Sequence, residues 1–299
     1  MNILPRDKQI AAIAALTEGV SIRATERLTG IHRDTVMRLG VRVGEGCAAL
    51  HDRMMRDVQV PRLELDEIWA YVGKKQRRAE GDPEAGDQYT FVALDATGKG
   101  VISYITGKRT AANTQAFCDD LAERVINRPE ITTDGFEPYI DAIDMAFGLR
   151  GADHAMLIKS YEGEPGREAK RKYSPGYIVD VTTRVVSGKP RHVSTSYVER
   201  SNLTVRMQQR RFTRLTNGFS KKLRNHKAAV SLYVGWYNLC HVCEATRITP
   251  AMALGITDHI WTIGELIEAA TSDAAPEPEG RRVGRFRVID GGRGVRDGA

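Results

Sequence analysis

Cysteine is scarce in this chain of 299 residues: Cys47, Cys118, Cys240 and Cys243 are scattered, with no pairing framework. That excludes a small disulfide-stapled secreted fold and fits a reducing compartment. Long apolar runs are missing too. No stretch of about 18 apolar residues occurs, which excludes a membrane-spanning helix. The opening MNILPRDKQI carries no apolar core of a secretory signal, so a cytoplasmic protein is expected. Acidic residues are the minority charge, 38 against 44 Lys and Arg, for a net charge of +6. That excess favours a polyanionic partner. Hydrophobic residues still make up 41% of the chain, enough to bury a core and to exclude disorder throughout.

Residues 1–58 read as helical. Ile10, Ile13 and Leu16 recur at helical spacing until Gly19. Ser21 is placed to cap a short helix over Ile22–Leu28, Gly30 makes a tight turn, and a second helix covers His32–Leu39. Helix, glycine turn, helix is the pattern of a helix-turn-helix. It turns Ile31 and Val36 inward and His32, Arg33, Asp34, Thr35 and Arg38 toward a DNA major groove.

From residue 60 the periodicity changes. Leu63–Val72 reads as a strand. Gln88–Asp95 and Val101–Thr106 read as a hairpin joined by Ala96-Thr97-Gly98-Lys99-Gly100. Thr110 can cap a helix reaching about Asn127. A strand over Ile131–Thr133, a helix over Phe136–Phe147 and a strand over Ala155–Tyr161 follow. Three strands, then helix, strand, helix, strand is the order of an RNase H-like α/β fold. The expected class is therefore α/β, an RNase H-like catalytic core over residues 60–245 preceded by an all-α helix-turn-helix domain. A basic insert near 163–195 contains a predicted hairpin of Tyr177–Val181 and Arg184–Val186, turning at Ser187-Gly188. Residues 246–271 form a C-terminal helical appendage, and the Ala-, Pro-, Glu-, Gly- and Arg-rich 272–299 reads as a disordered tail.

Three acids stand out. Asp66 interrupts the apolar first strand, where an ionised carboxylate is costly unless paired or metal-bound. Asp134 ends the next inner strand, and sites in α/β sheets lie at carboxyl ends of strands. Glu199 opens a capped helix whose Asn202 and Arg206 share its face. Three hard carboxylates on converging elements suit Mg²⁺ or Mn²⁺. Two such ions activate a water or 3′-hydroxyl nucleophile and stabilise the leaving oxygen of a phosphoryl transfer. Arg206, Arg210, Arg211, Arg214, Lys221 and Lys222 crowd the region after Glu199, where a phosphate backbone must pass, and with Asn202 they are the DNA contacts expected there.

The run Leu65-Asp66-Glu67-Ile68-Trp69-Ala70-Tyr71-Val72-Gly73-Lys74-Lys75 resembles the first acid motif of bacterial insertion-sequence transposases of the insertion-sequence-one type. Thr133-Asp134-Gly135-Phe136-Glu137-Pro138-Tyr139 resembles their second motif. Tyr197-Val198-Glu199-Arg200-Ser201-Asn202-Leu203-Thr204-Val205-Arg206 resembles their third. The resemblance implies a DDE triad of Asp66, Asp134 and Glu199 as catalytic and metal-binding residues, with Mg²⁺ or Mn²⁺ as cofactor. It implies cleavage and joining of double-stranded DNA at inverted-repeat ends and in target DNA, by a homo-oligomer assembled on DNA in the bacterial nucleoid. No Cys-rich zinc segment precedes the helical block, where members of that family often carry one.

Other residues read more plainly. Asp141 and Asp144 fall on a solvated helix face, and Asp95 belongs to turn chemistry. Glu67 is expected on the opposite face of the strand from Asp66, as a fallback neighbour of the metal site. Cys240, His241 and Cys243 lack a second ligand pair for zinc and read as packing residues. Two competing functions remain: a non-catalytic DNA-binding regulator derived from a transposase, and a nuclease on the same fold.

Overall fold

A computed structural model describes residues 4–161, 178–213 and 217–272. Three helices come first: α1 (Arg6–Thr17), α2 (Ile22–Thr29) and α3 (Arg33–Met54). Ser21 Oγ accepts the N–H of Ala24 at 3.2 Å as the expected N-cap of α2. Gly30 follows in the left-handed region, φ 69°, which its lack of a Cβ permits. Ile31 and Val36 are buried, while Arg33 and Arg38 are exposed.

α3 does not end at Leu39 as expected. It continues through Gly40, Gly44 and Gly46 to Met54. Glycine is unfavourable inside a helix, but two of these are contact points. A Cβ on Gly44 would overlap the carbonyl of Ala228, and one on Gly46 would overlap that of Ala270.

The sheet is mixed and six-stranded. Its strands are β1 (Arg62–Val72), β2 (Gly86–Asp95), β3 (Val101–Gly107), β4 (Glu130–Thr133), β5 (Asp153–Tyr161) and β6 (Ile178–Ser187), in the order β3-β2-β1-β4-β5-β6. β4 pairs parallel with both β1 and β5, and the remaining neighbours are antiparallel. Asp95 Oδ1 and Oδ2 accept the N–H groups of Thr97 and Gly98, so the β2–β3 turn is built as its sequence implies. The insert differs from its expectation. Residues 178–187 make one edge strand against β5, with Thr182 opposite Ile158, and no separate hairpin. The β-branched Thr182 and Thr183 keep the strand continuous, and it ends at Ser187, with Gly188 at φ 66° where the turn was expected. Tyr177, the rest of 163–177 and the expected tail after Ser272 lie outside the described residues.

Helices cover both faces of the sheet. Leu63, Leu65, Phe91 and Ile131 pack under α4 (Ala111–Arg124) and α5 (Tyr139–Phe147). Ile68, Ala70, Val92 and Val101 share the other core with α3, α6 (Ser196–Gln208), α7 (Leu223–Leu239) and α9 (Ile263–Thr271). α8 (Pro250–Ala253) starts at the Thr249 cap with proline in its first turn. α5 begins three residues later than expected. Pro138 disfavours helix at the residue before it, and Asp134 Oδ1 holds the N–H of Phe136 in a turn. Among the described residues no helix is long and apolar enough to cross a membrane.

Candidate metal centre

Strand alternation assigns the acids of β1 to their faces. Leu63 and Leu65 face α4 and α5, so Glu67 falls on that side. Ile68 and Ala70 face α6 and α7, so Glu64 and Asp66 do as well. Both acids of the second set hold α6. Glu64 Oε2 accepts the N–H groups of Tyr197 and Val198 at 2.8 and 2.9 Å. Asp66 Oδ2 accepts Nδ2 of Asn202 at 2.7 Å. Two strand residues advance about 6.7 Å. Four to five helix residues advance roughly 6–7.5 Å, so α6 runs along β1 in register with the two carboxylates. Thr195, at the N-cap of α6, makes no side-chain cap bond, and the strand carboxylate of Glu64 caps the helix instead. Replacing Glu64 with alanine strips two first-turn amides of their acceptor, one of them on fully buried Val198. A loss of about 1–2 kcal/mol is expected in urea unfolding, with Glu64→Gln losing less.

Asp66, Glu67 and Asp134 each offer an oxygen, and the three oxygens lie within 4.8 Å of one another. β1 and β4 are adjacent and parallel, which brings Asp134 beside Asp66 as the sequence implied. Glu67 joins them despite its opposite face, because Asp134 sits in the turn beyond the end of β4. Its side chain is 3% exposed, and Arg109 binds it from the turn before α4. Burial, joined by the charge of Asp134, pushes the carboxyl of Glu67 up to about 7; the Tyr139 hydroxyl and Arg109 pull it back. Burial also pushes Asp66 up to about 6. The Glu67 N–H and Asn202 oppose this, while Asp134 and Glu199 add to it. Glu67 Oε1 and Asn202 Oδ1 are buried without hydrogen-bond partners. Each such orphan costs roughly 1–3 kcal/mol. Hard carboxylate oxygens with unsatisfied acceptors beside them fit a Mg²⁺ or Mn²⁺ ion.

Glu199 stands outside this group. Its carboxylate is 47% exposed and forms an ion pair with Lys159 of β5. Thr195 Oγ1 donates to the same oxygen at 2.6 Å. Its charge still reaches Asp66. Two residues expected at DNA are engaged inside the protein instead. Asn202 is 3% exposed and spends its amide on Asp66. Arg211 donates Nη1 to Ser220 Oγ and to the Asn225 carbonyl, pinning the segment before α7, and burial brings it down to about 10. Arg210, Lys221, Lys222, Arg33 and Arg38 are exposed, Arg206 and Thr35 are half-buried, and Arg214 lies outside the described residues. A cavity of about 340 Å³ separates α2 from the later basic segment and is lined by Arg23, Arg210, Lys221 and Phe219. Phe219 stacks on Tyr71 at 4.5 Å, and Lys221 Nζ lies 3.4 Å over its ring.

Sequence reading missed Arg109, Lys159 and Glu64. Only Glu64 carried a signal, an acid two residues before Asp66 on the same strand face. Cys243 Sγ meets the Tyr237 hydroxyl, and the His241 ring packs on Trp236 and Tyr237. Among the described residues the acid cluster is the one group with metal-ligand spacing. No protein-family model matches this chain, and no curated protein matches it.

Proposed function

We propose that this chain is a transposase of the DDE type, which cleaves and joins DNA strands at the ends of an insertion sequence. One observation carries the reading: Asp66 and Asp134 converge from adjacent parallel strands, beside the helix that bears Glu199. In this reading the sheet and its helices are an RNase H-like core, and Asp66, Asp134 and Glu199 hold Mg²⁺ or Mn²⁺. Bound there, the ions supply an activated nucleophile and a stabilised leaving oxygen. The protein contributes position and charge. Glu64 and Asp66 set α6 along β1, and Asn202 fixes the carboxylate of Asp66. Lys159 and Thr195 hold Glu199 at the rim. Arg210, Lys221 and Lys222, with Arg206, offer cations to phosphates. α2 and α3 act as a helix-turn-helix that places Arg33, Thr35 and Arg38 in a major groove of the inverted repeat. Synapsis of two ends needs at least two protomers, so a homo-oligomer assembles on the DNA of the bacterial nucleoid.

The pairing of Glu199 with Lys159, away from the other acids, favours one competing reading, a non-catalytic DNA-binding regulator. Incubation of the full chain with a duplex carrying the DNA that flanks its coding region separates the two. The transposase reading expects nicking at the repeat end and joining of that 3′ end to a target, both dependent on Mg²⁺ and abolished by EDTA. Nicking without joining leaves a nuclease, and a gel shift without nicking leaves the regulator.

A further inference from the structure

Arg109 enters the acid cluster from the turn between β3 and α4. Its Nε and Nη2 lie 3.1 and 3.0 Å from Glu67 Oε2, and Nη2 lies 3.3 Å from Asp134 Oδ2. The ring of Phe136 covers the guanidinium at 3.8 Å. A guanidinium beside a carboxylate ordinarily engages both oxygens with its fork. Here both nitrogens converge on one oxygen, so no cation meets Glu67 Oε1, and on a side chain only 3% exposed the buried, neutral Tyr139 hydroxyl is the other group that acts on this carboxyl. Three carboxylates stand against this single guanidinium, so the charge of the cluster is under-compensated. A buried carboxylate oxygen that meets no cation, in a cluster short of positive charge, calls for a cation with more than one open ligand position. Arg109 is itself 34% exposed and has room to withdraw.

We propose that Glu67 is a ligand of a divalent cation shared with Asp66 and Asp134, and that Arg109 is the internal cation which this metal ion displaces. The inference rests on reading the cluster as a metal centre, but not on strand transfer. Ligation by Glu67 differs from the triad, because the third carboxylate comes from the strand itself rather than from α6. Arg109 then competes with the metal for Glu67 Oε2 and Asp134 Oδ2.

The test is direct titration of the full chain with Mn²⁺ alone, following free Mn²⁺ by electron paramagnetic resonance. Glu67→Gln is expected to weaken binding about tenfold or more, since ligand charge sets affinity at such sites. Arg109→Ala is expected to strengthen it several-fold, and Arg109→Lys, which keeps a cation, to stay nearer the parent. Circular dichroism melts show that each variant is folded. Should Glu67→Gln misfold, the two Arg109 variants still decide the matter, because a purely structural arginine gives no gain in Mn²⁺ affinity. Unchanged binding in Glu67→Gln and Arg109→Ala overturns the proposal. If Asp66→Asn then still abolishes Mn²⁺ binding, the metal centre stands and only the role of Glu67 and Arg109 falls. If the expected Mn²⁺ pattern appears in a chain that joins no DNA ends, this inference stands while the transposase reading falls.

Discussion

Asp66→Asn and Asp134→Asn chains are expected to lose Mg²⁺-dependent strand cleavage and joining by about three orders of magnitude or more, while still shifting DNA in a gel. Each substitution removes a hard anionic ligand and keeps the size of the side chain. Metal ions contribute several kcal/mol of charge stabilisation in phosphoryl transfer. A thousandfold in rate is about 4 kcal/mol, so one lost ligand suffices. A thermal melt of each variant separates this loss from unfolding. Burial holds the carboxyl of Asp66 up to about 6, which means the fold already disfavours its charge. A neutral amide at 66 relieves that penalty, and the thermal midpoint is expected to hold or rise. Glu199→Gln is expected to lose turnover as well, although Glu199 meets Lys159 rather than the other acids. Cleavage retained by any of the three variants in Mg²⁺ removes that residue from the site.

Much of the architecture was legible where a single local rule governed it. The alternation of Leu63, Leu65, Ile68 and Ala70 predicts β1 to within a residue, and Thr110 marks the start of α4. Gly30 and Ser21 frame α2 for the same reason: caps and turns depend on neighbours a few positions away. The site was legible only in part. Asp66 and Asp134 meet because adjacent parallel strands end side by side, which follows from the order of elements. The nearness of Glu67 does not follow from that order. Alternation puts it on the far face, and only the turn carrying Asp134 brings the carboxylates together. Arg109 and Lys159 come from a loop and a distant strand with no periodic signature. β6 was misread because Ser187-Gly188 suggested a hairpin tip, whereas pairing with β5 keeps 178–187 extended.

The glycines of α3 mark the sharpest divergence between local rule and tertiary demand, and they lead to the second large effect. By propensity alone, Gly44→Ala and Gly46→Ala should each stabilise the helix by about 1 kcal/mol. The packing argues the other way. At Gly44 the backbone of α7 lies so close that a methyl group overlaps the carbonyl oxygen of Ala228. At Gly46 the same happens with Ala270 of α9. Both obstacles are main chain, so no side-chain rotation relieves them, and a whole helix must move off the core. Overpacking of that kind costs typically 1–3 kcal/mol and more when backbone has to shift, which outweighs the propensity gain. Each variant is therefore expected to lose about 3 kcal/mol in urea unfolding, with Gly235→Ala losing less because its added Cβ meets the side chain of Cys47. Gly30→Ala serves as a control, since no atom lies within 4 Å of the added group and only the positive φ is strained. A Gly46→Ala chain as stable as its parent would mean that α9 is not seated on α3. The core joining the first three helices to the sheet would then need to be redrawn.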